Sequence, residues 1–374
     1  MIDVLFIIAL AIIIMAIVCG FLMLWKIPLS GQTDKELSGQ PTISVIIPAR
    51  NEEGRLQPLL ESLQIQSLIP KEIIVVDDES TDKTVQIAKK FGTIVKQTHE
   101  NYQRWKGKSA ACWIGSEAAT GEWLLFLDAD VRLEHKDSLK SLAISFQAQG
   151  TRGILSIQPY HKVHKLYENF SAIFNIMVMA GMNLFTFWSN RLQGAGAFGP
   201  CILTTRADYM ESGGHFVVGE AIMDDFVLAK AFRKIGLPVH CLGGRGVLHF
   251  QMYPEGMKSL VEGWSKNFGT ASQSTHPFVM TLISIWMSGG FLPLALFITA
   301  AYVNSLTWIS IALICYIGFM TQAYYLASRT GNFQFYIFIF YPILFFFFTG
   351  VFMWSLFRTK VLRVVTWKGR KIKL

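Results

Sequence analysis

The sequence predicts an α/β domain built on a mostly parallel sheet and framed by transmembrane helices at both ends of the chain. Three observations carry that expectation. The apolar residues are gathered into charge-free blocks near the two termini. Between residues 43 and 130, short β-branched runs alternate with helical spacings. Four aspartates of that region, Asp77, Asp78, Asp128 and Asp130, fall at the carboxyl ends of the runs. The 374 residues are 52% hydrophobic and only 16% charged, with 29 Phe and 10 Trp, an excess that a soluble chain rarely carries.

From Met1 to Trp25 the sole charged residue is Asp3, and Phe278–Ser328 and Thr330–Phe357 hold none. A run of about 20 apolar residues crosses a bilayer core of roughly 30 Å. Residues 1–25 therefore read as a transmembrane anchor, and 278–357 as the C-terminal membrane segments, two within 278–328 and one more over 333–357. The first stretch is longer than a signal-peptide core, lacks a basic start and has no small-x-small site, so an anchor is expected rather than a cleaved leader. Lys26 is the first basic residue, which puts the domain that follows in the cytoplasm and makes the chain a multi-pass cell-membrane protein. The tail, 358–374, carries Arg358, Lys360, Arg363, Lys368, Arg370, Lys371 and Lys373 without an acid, so it too should be cytoplasmic. Three full crossings after a cytoplasmic domain would leave that tail outside. Either one apolar segment is re-entrant or interfacial, or the run between 158 and 190 also crosses; the sequence leaves these open.

The net charge of +8, with the basic tail beside a membrane segment, points to anionic lipid headgroups. No basic stretch is interleaved with aromatics in a nucleic-acid module, so nucleic acid is not an expected partner. Cys19, Cys112, Cys201, Cys241 and Cys315 fit no CxxC spacing, which implies neither structural zinc nor a disulfide framework.

Each element follows in order. Residues 26–40 form a polar tether. ISVIIPA (43–49) is a buried strand closed by Pro48, 55–67 has helical spacing, and EIIVVDD (72–78) is a second strand. Ser80–Lys90 reads as a helix, 93–97 as a third strand, Lys108–Ala119 as an Ala-rich helix, and 122–130 as a fourth strand. Alternation at this spacing calls for a parallel sheet with helices on both faces, and such sheets bind ligands at the carboxyl ends of their strands. Asp77, Asp78, Asp128 and Asp130 all fall there. Beyond 130, Ile154–Pro159 and Phe198–Thr204 read as strands and Glu220–Ile235 as a helix. The Met-rich run near 165–187 reads as an apolar helix lying in the membrane interface, with a core helix or a span as the alternatives.

Asp128-Ala129-Asp130 is the strongest chemical signal. Two carboxylates at a strand end can share a hard divalent cation, Mg²⁺ or Mn²⁺, which would neutralise a diphosphate leaving group. Alone, the pair is equally a solvated turn. The run Asp77–Asp82 is either turn and cap chemistry or a carboxylate facing a base edge. Pro48, Ala49, Arg50, Asn51 and Glu52 close the first strand beside it. Lys106-Gly107-Lys108-Ser109 lacks P-loop spacing, so either one lysine reaches a phosphate or both are solvated. Asp224-Asp225 suits a helix N-terminus, or supplies a base for an acceptor. The Trp264–Lys266 region precedes the membrane block and would cover the site from the membrane side. His161, His164 and His249 have no metal-ligand spacing.

Taken together, IIPARNEE (46–53), VVDDESTD (75–82), WKGKSAA (105–111), FLDAD (126–130) and MDDFVLAKAF (223–232) resemble the inverting family 2 glycosyltransferases over about 41–270. The resemblance implies a GT-A domain, a Rossmann-like mixed sheet that uses a nucleotide-diphospho-sugar. It implies that Asp78 contacts uracil, that Pro48, Ala49 and Glu52 lie near the nucleoside, and that Lys108 approaches the phosphates. Asp128 and Asp130 would hold the metal and ribose, Asp225 would be the base with Asp224 beside it, and Trp264 would face the acceptor. Asp224-Asp225 stands where the family usually has Glu-Asp. Polymerising members carry Gln-x-x-Arg-Trp, whereas Leu260–Trp264 keeps only the tryptophan, which argues against processive synthesis. The stretches 155–177, 196–215 and 252–270 resemble the bacterial carotenoid glycosyltransferases. That similarity implies transfer of glucose from UDP-glucose to the carboxylate of a membrane-embedded C30 acid, 4,4'-diaponeurosporenoate. A glycerolipid or polyprenyl phosphate acceptor is the enzymatic alternative, and a non-catalytic sugar-nucleotide sensor or export scaffold the alternative of another class.

Overall fold

The computed structural model describes residues 2–31, 36–98, 107–219, 221, 223–359, 364–367 and 370–373. Lys106, Glu220, part of the tether and part of the basic tail, including Lys360, Arg363 and Lys368, lie outside the described residues. In chain order the elements are α1 (Ile2–Met23), β1 (Ile43–Ala49), α2 (Leu56–Gln64), β2 (Glu72–Asp77), α3 (Thr84–Lys90), β3 (Ile94–Gln97), α4 (Lys108–Ala118) and β4 (Trp123–Leu127). There follow β5 (Val131–Leu133), α5 (Ser138–Ala148), β6 (Ile154–Gln158), β7 (Tyr160–His161), α6 (Ala172–Gly181), β8 (Cys201–Thr205), α7 (Arg206–Glu211), α8 (Asp224–Lys234), β9 (Val239–Gly243) and β10 (Leu248–Phe250). The chain closes with α9 (Met257–Ala271), α10 (Pro277–Gly289), α11 (Leu292–Tyr302), α12 (Leu306–Ser328), α13 (Tyr341–Phe357), β11 (Val364–Trp367) and β12 (Arg370–Lys373).

Contacts divide the chain into two units. One holds 28–161 and 196–251; the other holds 1–27, 162–195 and 252–374. The 41–270 stretch that the sequence reads as one domain is thus shared, with 162–195 and 252–270 grouped with the membrane helices.

In the first unit a seven-stranded sheet runs β3-β2-β1-β4-β8-β6-β9. Only β8 opposes the rest, pairing antiparallel with β4 and β6. Side chains alternate across the pleat, as the period of two requires. Val45, Ile47, Val75 and Leu125 pack on one face with α2 and α5, while Ile46, Ile74, Val76, Leu124 and Phe126 pack on the other with α4 and α8. Truncating one of these buried leucines to Ala would cost about 2–5 kcal/mol. The register Ala49↔Asp77 brings the ends of β1 and β2 level, and β4 ends beside them. A small sheet, β5-β10-β7, follows the end of β4.

Among the described residues of the second unit, four segments are long and apolar enough to cross a membrane: Asp3–Met23, Pro277–Tyr302, Leu306–Ser328 and Phe335–Phe357. The sequence expected one, two and one in those places. Trp308 Nε1 donates to Asp3 Oδ1 (2.9 Å), Gln322 Nε2 to the Ile17 carbonyl (2.5 Å) and Arg329 Nη1 to the Leu24 carbonyl (2.8 Å). All three pairs are 305 residues apart, so α1 and α12 lie side by side in the same direction. The α10 helix runs against α1. A Cβ on Gly20 would fall 2.5 Å from the Trp286 ring, and one on Gly289 2.2 Å from Ala16, so glycine lets the two backbones close.

The run near 165–187 is a short 3₁₀ turn, Leu166–Ser171, followed by a ten-residue α6. At 1.5 Å per residue, α6 is about 15 Å long, too short to span a membrane.

Candidate functional site

The strand ends of the first unit collect the groups that the sequence singles out. After β1 the chain turns through Asn51, a left-handed residue (φ 52°), and its backbone locks onto the segment after β2. Asn51 N–H donates to Ser80 Oγ (2.9 Å), Glu52 N–H to Thr84 Oγ1 (2.8 Å) and Glu53 N–H to Asp82 Oδ2 (3.1 Å). Asp82 also accepts from the Thr84 N–H and hydroxyl. Within the acidic run, therefore, Asp77 and Asp82 serve the turn, as cap chemistry predicts.

Asp78 differs. It is buried, and its carboxylate accepts from Thr98 Oγ1 (3.1 Å), Gly107 N–H (3.2 Å) and Arg50 Nη1 (3.2 Å). The Ala49 carbonyl accepts the Asp78 N–H at 2.8 Å, tying Pro48-Ala49 to Asp78 across the β1–β2 pair. Gly107 has φ 96°, a conformation glycine enters freely, and it opens α4 directly ahead of Lys108.

Lys108 Nζ lies 2.6 Å from Asp128 Oδ1 and 2.9 Å from Oδ2, and it also donates to the Gly199 carbonyl at 3.3 Å. The other end of the same residue, Gly199 N–H, donates to Asp225 Oδ2 at 3.0 Å. A Cβ on Gly199 would lie 3.1 Å from Lys108 Nζ and 3.2 Å from Asp225 Oδ2, so these groups crowd one side of a residue without a side chain. Asp225 sits in the first turn of α8, where its Oδ1 also accepts the Phe226 N–H at 3.2 Å.

The charges explain one another. Burial disfavours the Lys108 ammonium, but Asp128 and then Asp224 outweigh it and hold the lysine firmly protonated. Asp130 is raised to about 7, first by burial and then by Asp128, against the pull of Arg55. Asp225 is likewise raised to about 7, by burial and by Asp224. His215 is pushed down to about 4 by burial, so it is neutral at pH 7, and its Nδ1 pairs with the Tyr209 hydroxyl at 2.9 Å.

Among the described residues no group of three or more His, Cys, Asp or Glu side chains forms a closed metal cage. Asp130 is half-buried beside an Asp128 already paired with Lys108, and burial and the Asp128 charge together disfavour its ionised form. That donor set fits a hard divalent cation that takes its remaining ligands from a bound diphosphate.

Sequence reasoning did not find Arg55, Gly199 or His215. Arg55 had a signal, because it follows Glu52 by three residues and pairs with it at 3.7 Å. Gly199 and His215 had none, since their roles arise from approach in space. His249 faces Glu134 (2.7 Å) and His161 packs against Phe250, in keeping with structural roles. Trp264 belongs to the second unit, where it is buried, stacks on Phe174 at 4.9 Å and donates its indole N–H to Ser171 Oγ at 3.0 Å.

A mixed sheet with Asp-Ala-Asp at the end of its central strand, faced by a lysine and a second acid pair, defines a GT-A transferase of nucleotide-diphospho-sugars. Residues 44–193 match glycosyl transferase family 2. The 4,4'-diaponeurosporenoate glycosyltransferase of Staphylococcus aureus (strain USA300) is 39% identical over 334 residues, covering 89% of this chain and 88% of that one. The chain belongs to glycosyl transferase family 2 and is a glycosyltransferase. Its fold is shared with the mannosyltransferase PcManGT of Pyrobaculum calidifontis, solved with GDP-Man and Mn²⁺, at a TM-score of 0.54 and 18% identity, covering 94% of this chain and 99% of that one.

Proposed function

We propose that the chain transfers glucose from UDP-glucose, with inversion, to the terminal carboxylate of 4,4'-diaponeurosporenoate, working on the cytoplasmic side of the cell membrane. The observation that carries the reading is the convergence of Lys108, itself paired with Asp128, and of Asp225 on the carbonyl and N–H of Gly199 at the strand ends. The S. aureus relative, whose name states that acceptor, supports the choice of carotenoid acid.

In this reading Pro48, Ala49, Glu52 and Asp78 hold the nucleoside. Three donors already engage the Asp78 carboxylate, and an ionised carboxylate offers about four acceptor positions, which leaves one for an imide N–H. Lys108 turns from Asp128 toward the diphosphate. Asp128 and Asp130 hold the ribose and a Mg²⁺ or Mn²⁺ ion, which when bound neutralises charge developing on the leaving diphosphate. The acceptor carboxylate oxygen bonds to the anomeric carbon as the bond from that carbon to the β-phosphate oxygen breaks, and its electron pair leaves with UDP. A carboxylic acid is ionised near neutral pH, so the nucleophile has no proton to lose. Asp225, with Asp224 beside it, then orients the acceptor instead of deprotonating it. Trp264 stands on the acceptor side, and the apolar polyene stays in the bilayer.

The test is mass spectrometry of lipids extracted from membranes supplied with UDP-glucose, Mg²⁺ and 4,4'-diaponeurosporenoate. A hexosyl ester of the carotenoid acid is expected, and Asp130→Asn should abolish it. Hexose on an endogenous glycerolipid or polyprenyl phosphate, with no carotenoid product, would move the acceptor. No transfer to any lipid would leave a sugar-nucleotide sensor.

A further inference from the structure

The last apolar segment, Phe335–Phe357, has the length and composition of a crossing, but its side-chain partners do not follow a line across the membrane. Because α1 and α12 run in the same direction, the end of α12 lies level with Leu24 and Trp25, where Arg329 donates to both carbonyls. The chain stays at that face after α12. Asn332 Oδ1 accepts the Val163 N–H, and Gln334 N–H donates to Asn169 Oδ1 (2.9 Å).

Residues 335–340 then run back along α12 from its end toward its middle. The rings of Phe335 and Phe338 lie 5.1 and 5.6 Å from Tyr324. The Tyr316 hydroxyl donates to the Ile339 carbonyl at 2.6 Å, and the Tyr341 ring is 5.0 Å from Tyr316 and 5.4 Å from Phe319. At 1.5 Å per residue, Tyr316 lies about 20 Å below Arg329, roughly halfway along α12. There the direction reverses, with Pro342 in the first turn of α13.

The rest of α13 climbs back. Phe345 meets Trp286 at 4.9 Å, Phe348 meets Phe174 at 4.9 Å, and Ser355 Oγ donates to the Ser265 carbonyl at 2.7 Å. Phe174 lies in α6, which is held at the Leu24 face from both sides. Asn169 before it bonds Gln334, and the Phe185 carbonyl after it accepts the Trp25 N–H at 2.7 Å. Ser171 at the start of α6 also holds Trp264 of α9, the helix that carries Ser265.

We infer that Phe335–Phe357 is a re-entrant hairpin that enters and leaves through one leaflet, so that the chain crosses the membrane three times. Non-helical backbone at membrane depth is tolerated only where protein covers it. The turn meets that condition on its inner side, where Phe338 and Tyr341 are fully buried and the Tyr341 hydroxyl donates to the Gly290 carbonyl at 2.9 Å. On its outer side Tyr316 satisfies the Ile339 carbonyl, and the exposed Ile339 and Phe340 are apolar, as lipid contact requires. The charges agree. Lys26, Arg329 and Arg358 share one face, Arg358 donating to Ser265 Oγ at 3.5 Å, whereas among the described residues the opposite ends of the helices carry only Asp3 and the uncharged 303–305 connection. The tail then meets the anionic headgroups of the leaflet whose face carries Lys26.

Cysteines placed by Lys26→Cys, Asn304→Cys and Leu374→Cys, one at a time in the full chain, report sidedness to a membrane-impermeant maleimide in intact and permeabilised cells. The five native cysteines are buried, and the parent chain sets the background. Lys26→Cys and Leu374→Cys should share one accessibility pattern, and Asn304→Cys should show the opposite one. Leu374→Cys labelling together with Asn304→Cys would overturn the hairpin. A fluorescent protein fused after Leu374, which matures only on the cytoplasmic side, gives a second reading. Fluorescence should accompany protection of Lys26→Cys in intact cells, and a dark fusion with Lys26→Cys protected would overturn the inference.

Discussion

Gly199 offers no side chain, yet its two peptide groups touch both halves of the recess: the carbonyl meets Lys108 and the N–H meets Asp225. Gly199→Ala would press a methyl against both at 3.1–3.2 Å. Displacements of about 1 Å at reacting groups cost on the order of 100-fold in rate, so turnover should fall roughly 10–100-fold, with the donor KM rising as well because Lys108 is one of the groups pressed. Initial rates over a donor series check this. The raised carboxylates make a second prediction. Between about pH 4, where an unfolded Asp titrates, and pH 7, where Asp130 does, the native state holds more protons than the unfolded one. Stability from this group therefore falls as pH rises through that window. A divalent cation should relieve the cost only where Asp130 is ionised. At about 100 times its Kd, Mn²⁺ adds about 2.7 kcal/mol. The thermal midpoint in detergent should thus rise clearly with Mn²⁺ at pH 7.5, little at pH 5, and little at either pH in Asp130→Asn.

At the scale of elements, α9 explains a departure visible in the sequence. Position 263, where polymerising relatives carry arginine, is glycine, and a Cβ there would lie 2.0 Å from the Tyr253 ring. Tyr253 is in turn fixed, because its carbonyl accepts the Tyr167 hydroxyl at 2.8 Å. Gly263→Arg should therefore unseat Tyr253 and cost about 1–3 kcal/mol or more, seen as a lower thermal midpoint, without giving a processive product. The strands of the site were legible because β1, β2 and β4 are β-branched or apolar runs buried on both faces, and their terminal acids mark the strand ends. β9 (VHCLG) and β10 (LHF) were not, since each is short and carries a polar residue within the run. The apolar helix expected through Phe187 stops at Gly181 because Asn183 turns left-handed (φ 66°) and spends its side chain on the His276 N–H and the Gln193 carbonyl. Such tertiary partners are invisible in local spacing. The same holds for Arg55, Gly199 and His215 in the site.

At the scale of the whole molecule, the two units are interleaved in sequence, two stretches against three. A fragment spanning 41–270 keeps α6 and α9 but loses α10, α12 and α13, and with them the cover over Phe174 and Phe268. It should run as aggregate on size exclusion without detergent, whereas the full chain in detergent should give a discrete peak; a monodisperse soluble fragment would contradict the assignment. The constant 305-residue offset between α1 and α12 also sets a timetable for biosynthesis. The first helix leaves the ribosome long before the partner that engages Asp3, Ile17 and Leu24. At about 5–20 residues per second, the delay is roughly 15–60 s. Throughout it, the nascent protein is tethered to the bilayer by a helix whose final neighbour does not yet exist, and a chaperone or insertase has that interval in which to act.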